Sequence, residues 1–373
     1  MRSSLWILLA TFLLGPWAPA AALAQDGEQL LPQPDEPNTR AGNRGANFLE
    51  IGVGARALGM GGAFVSVSEG VAALYWNPAG IAREPRFSAM LSYNDLYGDF
   101  GLSHFFGGVM LPLGDVGAFG LHVIQLSSGE IVRTTENFPE GNDPQFGLTY
   151  QWTSVAFGAT YSRRITDRLL VGVTGKYIQE GIEDANAEFF GGDVGVSFVT
   201  GLMGTTLGAS LLNVGSSGKF GGPLLRRIAL DGVDGFLPTD QTLALNFETG
   251  SWALPTTFNF SVLWDLLGSP EAIFAPNPEH GLVLVTDVVD AIDTDIQSRF
   301  GLEYNYRGRL FLRAGKAFQN ERNTGDFRTF ADGLSGGFGL FIPIGESRLH
   351  LDYAYSDRGL LNNIQTFSVE YTR

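Results

Sequence analysis

The chain has 373 residues, of which 50 are Gly, 28 are Phe and none is Cys, and it carries 39 acidic against 24 basic side chains, a formal charge of -15. Without Cys there is no disulfide framework and no thiolate metal site, and the negative balance leaves no basic face for nucleic-acid phosphates. Charged residues are 17% of the chain, against about 25% in soluble domains, and Gly stands near twice its usual share.

The first element reads as an export signal. Arg2 supplies a positive charge, Leu5 to Leu14 is apolar apart from Thr11, and Ala22-Leu23-Ala24 has the form of a cleavage site. Residues 1–24 are expected to be removed as a signal peptide, leaving Gln25 first. The apolar run is too short for a spanning helix, and no later stretch offers about 18 uninterrupted apolar residues. Residues 25–44 are polar and hold Pro32, Pro34 and Pro37, the composition of a flexible linker. Residues 45–85 are dense in Gly and show no alternation. From residue 86 to 373 the pattern has period two.

Five stretches show that period best. In Ser154 to Arg163, Val155, Phe157, Ala159 and Tyr161 oppose Ser154, Ala156, Gly158, Thr160 and Ser162. In Thr257 to Asp265, Phe258, Phe260, Val262 and Trp264 share one face. In Arg299 to Tyr306, Phe300, Leu302, Tyr304 and Tyr306 oppose Arg299, Gly301, Glu303 and Asn305. Leu349 to Ser356 and Thr366 to Thr372 repeat the scheme. Period two gives each strand one apolar and one polar face. A soluble sandwich turns the apolar face inward; a membrane barrel turns it toward lipid.

Length and spacing favour the barrel. About 14 strands are expected, starting near Phe87, Leu102, Gly117, Trp152, Leu169, Phe189, Thr206, Thr257, Gly281, Arg299, Arg309, Gly336, Leu349 and Gln365. Short connections (Leu113 to Val116, Thr166 to Arg168, Thr200 to Thr205, Arg307-Gly308, Gly345 to Ser347) alternate with long ones (Ser127 to Tyr150, Gln179 to Ala187, Asn213 to Pro255, Gln319 to Ser335). Outer-membrane barrels pair short periplasmic turns with long outer loops. Leu266 to His280 is long on the short side, an insertion with Pro270, Pro276 and Pro278. The expected fold is all-β: a transmembrane outer-membrane barrel of about 14 antiparallel strands over residues 86–373, with residues 45–85 as an N-terminal plug. Outer-membrane lipid is then an obligatory partner. On this reading Phe260→Arg places a charge in lipid, and Ser261→Arg, facing a polar lumen, is the milder change.

The 45–85 segment also carries a motif. Gly52-Val53-Gly54-Ala55-Arg56-Ala57-Leu58-Gly59-Met60-Gly61-Gly62-Ala63-Phe64-Val65, followed by Ala72-Ala73-Leu74-Tyr75-Trp76-Asn77-Pro78-Ala79-Gly80-Ile81-Ala82, resembles the N-terminal signature of the PorV/PorQ family. That family belongs with FadL-like barrels, which share an Asn-Pro-Ala element in the plug. Weaker resemblance continues through Leu212-Asn213-Val214-Gly215, Leu254-Pro255-Thr256, Ala314-Gly315-Lys316 and Asp352-Tyr353-Ala354-Tyr355. One departure is the end: family barrels tend to finish on an aromatic, and here Thr372 and Arg373 follow Tyr371.

The residues themselves suit a plug. Gly59, Gly61 and Gly62 permit tight turns and close approach to a wall. Met60 lies between them. Asn77 can bond neighbouring backbone, and Pro78 stiffens the bend before Ala79 and Gly80. Trp76 fills space and keeps a polar handle. Arg56 is expected to pair with Glu69 or Asp193.

Several chemical motifs fall away on context. Gly52 to Ala57 fits a dinucleotide fingerprint but no βαβ unit follows. Gly333-Leu334-Ser335-Gly336-Gly337 fits a nucleophile elbow, yet a strand follows where a helix is required. His104, His122, His280 and His350 show no metal spacing. Asp287, Asp290, Asp293 and Asp295, and again Asp231, Asp234 and Asp240, read as solvated acidic loops rather than Ca²⁺ sites. No catalytic group, metal or cofactor is expected.

Two functions follow from the resemblance. PorV implies a non-enzymatic type IX secretion component that binds secreted cargo proteins and works with other type IX components. FadL implies a channel for hydrophobic small molecules such as fatty acids. The loop Asn213 to Pro255, with apolar Leu224, Leu225, Ile228 and Phe236, is the candidate partner surface in either case.

Overall fold

A computed structural model describes residues 43–98, 100–142, 144, 148–229, 243–292, 294, 296–319 and 332–373. The expected signal peptide, nearly all of the expected linker, and Phe236 lie outside the described residues, as does the Ile228 side chain.

The period-two stretches are strands. In chain order they are β1 Ser88–Leu96, β2 Leu102–Pro112, β3 Ala118–Ser127, β4 Trp152–Arg164, β5 Leu169–Ile182, β6 Ala185–Val199 and β7 Thr205–Gly215. Then follow β8 Thr257–Gly268, β9 His280–Ala291, β10 Gln297–Tyr306, β11 Leu310–Gln319, β12 Leu334–Ile344, β13 Ser347–Asp357 and β14 Asn363–Thr372. Each pairs antiparallel with its neighbours in sequence. β14 pairs with β1, from Ser88 against Thr372 to Leu96 against Ile364, so the ring of fourteen is closed. Closure satisfies every ladder and leaves no edge, the condition for strands in a bilayer.

Which face is inside is now explicit. Leu91, Phe157, Phe190, Phe260, Phe338 and Phe367 point outward, 42–63% exposed. Ser154, Asp193, Ser261, Asp287, Glu303 and Thr366 point inward and are 4% exposed or less. An apolar exterior around polar inward positions is the inverse of a soluble sandwich. Phe260→Arg is therefore expected to cost about 2–4 kcal/mol near mid-strand. A urea-unfolding midpoint in lipid equal to that of the wild type would contradict it.

Two expectations need correction. Gln179 to Ala187 is not a long loop: β5 and β6 run on and meet at Glu183-Asp184, with Glu183 at φ 50°. Its outward polar residues read as loop because, beyond the lipid, both faces of a strand meet water. Ser261→Arg is not the milder change. Ser261 does face inward, but it is fully buried, accepts from Ser66 N at 3.0 Å and bonds Asp287, so an Arg there has no room. The insertion 269–279 folds back on β8, where Ala275–Pro276 pairs parallel with Leu267 and Gly268.

The reason Ser261 is buried is the segment that precedes β1. Residues 43–87 touch the inward face of every barrel strand. Gly54 N donates to Ser92 Oγ of β1, and Ala55 N to Ser368 Oγ of β14. Val71 and Leu74 lie on Gly108 of β2, Leu74 on Gly120 of β3, and Ser162 of β4 donates to Ala79 O. Pro78 abuts Gly172 of β5, Asn77 donates to Val196 O of β6, and Ser66 abuts Gly208 of β7. Ser261 and Asp287 take β8 and β9. Glu303, Gly315, Gly337 and Ser356 complete the circuit through β10 to β13. A segment in contact with all fourteen strands of a closed ring lies in its lumen.

Candidate functional site

The lumen segment runs from one rim to the other. At the long-loop rim Gly45 N donates to Ala253 O at 3.0 Å. A 3-10 turn at Asn47–Glu50 follows, then the short helices α1 Ala55–Gly59 and α2 Ala73–Trp76, then a 3-10 turn at Pro78–Arg83. At the short-turn rim Arg373 N donates to Phe87 O at 2.9 Å. Helices this short are held by packing, not propensity. Phe48, Leu49, Phe64, Leu74 and Trp76 are all 5% exposed or less.

The motif residues are the joints of this path. Gly61 has φ +67°, and a Cβ there would lie 2.7 Å from Lys316 N of β11; only Gly turns the chain this close to the wall. Gly59 rests on Gly337, Met60 is fully buried against Gly301 and Gly315, and Gly62 lies under the Arg299 guanidinium. Trp76 Nε1 donates to Val53 O at 2.9 Å, and its ring meets Tyr75 edge-on at 5.0 Å.

Asn77 is fully buried and ties three pieces of backbone. Its Nδ2 donates to Val65 O at 3.1 Å and to Val196 O of β6 at 3.0 Å. Its Oδ1 accepts from Ala79 N at 3.2 Å, which caps the following turn. Pro78 fits against Gly172 and Gly195, and Gly80 lies against Ser68 O.

The electrostatic anchor is a chain of ions. Arg56 grips Glu303 of β10 with both Nε (2.9 Å) and Nη2 (2.8 Å), and Glu69 with Nη1 (2.6 Å). Glu303 also takes Arg313 Nε of β11 at 2.6 Å, and Arg313 takes Asp352 of β13 at 2.6 Å. Of the two carboxylates expected for Arg56, Glu69 is a partner. Asp193 is not: it binds Lys176 of β5 at 2.8 Å, and its other oxygen accepts from Asn213 N.

A second correction concerns Asp287. It is not part of an acidic loop but an inward residue of β9 that accepts from Phe64 N at 2.9 Å and Val65 N at 3.2 Å. Asp290 sits outward on the same strand, and Asp293 and Asp295 lie outside the described residues, as do Asp231, Asp234 and Asp240. Among the described residues no cluster of His, Asp or Glu is placed to hold a metal. His104 and His122 are buried in the lumen, His104 beside Asn94 and His122 stacked on Phe106.

The lumen therefore has two halves. Strands β8 to β13 present Asp287, Arg299, Glu303, Arg313 and Asp352. Strands β2 to β6 present Phe106, Met110, Ile124, Ile178 and Phe189, packed on Phe48 and Leu74 of the segment, beside the buried Lys176–Asp193 ion pair and His104 and His122. Toward the long-loop rim a cavity of about 220 Å³ remains, bounded by Trp76, Tyr75, Leu212, Val289, Arg299 and Arg358, among others. In the loop above it, Leu224 is exposed and Leu225 half-buried, while a Trp152–Phe220–Trp252 aromatic cluster covers the loop base.

No protein-family model matches the chain, and no curated protein does. Solved structures do. The CymD monoaromatic hydrocarbon channel superposes with a TM-score of 0.51 over 87% of this chain and 97% of its own, at 14% identity. The Ralstonia pickettii toluene transporter TbuX gives a TM-score of 0.51 over 86% and 98%, at 12% identity. At such identity the likeness is one of fold alone, a closed antiparallel β-barrel.

Proposed function

We propose that this chain is an outer-membrane channel for hydrophobic solutes, non-enzymatic, with residues 45–85 as its gate. The observation that carries the reading is the lumen. It is closed by a Gly-rich segment and lined in part by apolar side chains, a surface that suits greasy solutes better than ions once the segment moves. Both similar structures described above bear the names of hydrocarbon transporters, which supports the same reading. The apolar exterior supports placement in the outer membrane with lipid as its partner.

The secretion reading rests on the motif resemblance alone. The exposed Leu224 and half-buried Leu225 serve a solute channel equally well as a first apolar capture surface. The test is deletion of Gly222 to Phe236 in the producing cell. Uptake of labelled toluene and of a labelled fatty acid is measured beside the proteins released to the medium. Reduced uptake with unchanged surface proteins is expected. Normal uptake with cargo lost to the medium would replace the channel with the secretion shuttle.

A further inference from the structure

Below the ion chain the lumen wall turns aromatic. Arg313 of β11, Gly339 of β12 and Asp352 of β13 meet inside the barrel. One inward position nearer the short-turn rim, the same strands carry Phe311, Phe341 and His350. Their sequence neighbours Leu310, Leu312 and Leu340 point outward and are exposed, so these three rings are no part of a lipid-side girdle. His350 meets Phe341 edge-on at 4.8 Å and Phe311 at 6.1 Å, which makes them one patch. Each is half-buried. Neither Phe joins the hydrophobic core around Phe48, Leu74 and Trp76.

The space beside the patch is open to water from the short-turn rim. Its roof is the lumen segment, where the side chains of Arg56 and Glu69 are 26% and 51% exposed. Glu69 precedes Gly70, which lies against Glu370 near the short-turn end of β14, so the water that reaches this pair comes from that end. Across the lumen the same rim is filled: Ser88 of β1, Ala118 of β3 and Ser162 of β4 are 2% exposed or less. The segment thus closes one side of the short-turn end and leaves the other as a vestibule. The ions above the patch satisfy one another, Arg313 with Glu303 and Asp352, and Arg56 with Glu303 and Glu69. Arg348 is exposed at the rim, its guanidinium 5.8 Å from the Phe341 ring centroid, and Glu370 accepts from Val71 N at 3.2 Å. What the vestibule offers a ligand is therefore ring surface.

We propose that Phe311, Phe341 and His350 form an exit-side binding site, where a small uncharged hydrophobic solute rests after passing the segment and before leaving for the periplasm. The place of the patch selects its occupant. The closed wall separates it from lipid and from a second copy on the outer face, so what covers it is a molecule small enough to move in the lumen. Such a ligand takes the three rings and its own apolar surface out of water together, and a ring among them meets their edges in the tilted geometries that aromatic pairs favour. The site rests on the channel reading and adds a second station to it. The 220 Å³ cavity lies on the long-loop side of the Gly61-Gly62 turn, the patch on the short-turn side. A solute held there stays on the periplasmic side while the segment recloses.

The test is photolabelling of the full mature chain in detergent with phenyl(trifluoromethyl)diazirine, an uncharged aromatic probe, followed by peptide mapping with and without a large excess of toluene. Labelling of Phe311, Phe341 and His350 is expected to fall at least about fivefold when toluene competes, because a site saturates. Labelling of the outward Leu312 and Leu340 on the same strands should barely change, because a lipid-like surface does not. Phe341→Ala should lower the toluene-sensitive labelling of His350 by at least about threefold. No labelling of the three inward residues, or labelling that toluene does not displace, would overturn the site. If Phe341→Ala fails to give a heat-modifiable barrel, the wild-type map decides alone. Toluene uptake into vesicles is read separately. Uptake without displaceable labelling sinks this site and leaves the channel, whereas displaceable labelling without uptake keeps the pocket and sinks the channel.

Discussion

Deleting residues 44–82 should convert a silent barrel into an open pore. Planar bilayers carrying the wild-type chain should show no resolved conductance steps, and those carrying the deletion should show large, steady ones. The wall does not need the segment for its own hydrogen bonds. All fourteen strands pair with one another, and none is contributed by residues 43–87. What the deletion removes is filling: Phe48, Phe64, Leu74, Tyr75 and Trp76, each 6% exposed or less, leave the lumen. Each such side chain contributes roughly 1.5–3 kcal/mol of burial, so the barrel loses stability while its ring persists. The vacated space is bordered by Asp287, Glu303, Arg313 and Asp352 on one side, and these groups hydrate readily. Heat-modifiable migration on gels shows whether the ring has closed. A closed ring with wild-type silence would mean that the segment does not seal the lumen.

The parts of this fold that sequence made legible are those set by local pattern. Strand starts at Leu102, Trp152, Leu169 and Thr257 coincide with the structure, because alternation and turn residues mark them on the chain itself. Ala185 was missed by four residues, since Glu188 and Asn186 stand on a strand that rises out of lipid. The Asn-Pro-Ala joint was legible as a bend, but not its bond to Val196 O, which spans 119 positions. Parity places Glu303 and Arg299 on one polar face without saying that Arg56 reaches Glu303. Asp287 reads as loop because acids three to eight positions on resemble one, and nothing local reveals that Phe64 and Val65 deliver their N–H groups to it. Contacts between the lumen segment and the wall join residues up to 313 apart, beyond any periodic signal.

The second large effect is expected at Glu303. Glu303→Ala removes the carboxylate shared by Arg56 and Arg313, a wall group that binds the lumen segment through two parallel bonds. Breaking a buried pair by deleting one partner costs about 3–5 kcal/mol, because the other charge stays buried. Here Arg56 keeps Glu69 and Arg313 keeps Asp352, so the loss should fall near the lower end. It should also be asymmetric. Arg313 is wall and stays in place, whereas Arg56 belongs to the segment, and Glu69 moves with it. The segment should therefore loosen before the ring does, giving brief conductance openings in bilayers at urea concentrations where the wall is still closed. Phe260→Arg supplies the contrast, since it weakens the wall from the lipid side and should lower the unfolding midpoint without openings. The pair Arg56→Ala and Glu303→Ala, made singly and together, measures the coupling directly, and the double variant should lose less than the sum of the singles. Strict additivity, or a Glu303→Ala barrel as silent and as stable as the wild type, would show that the ion chain does not hold the gate.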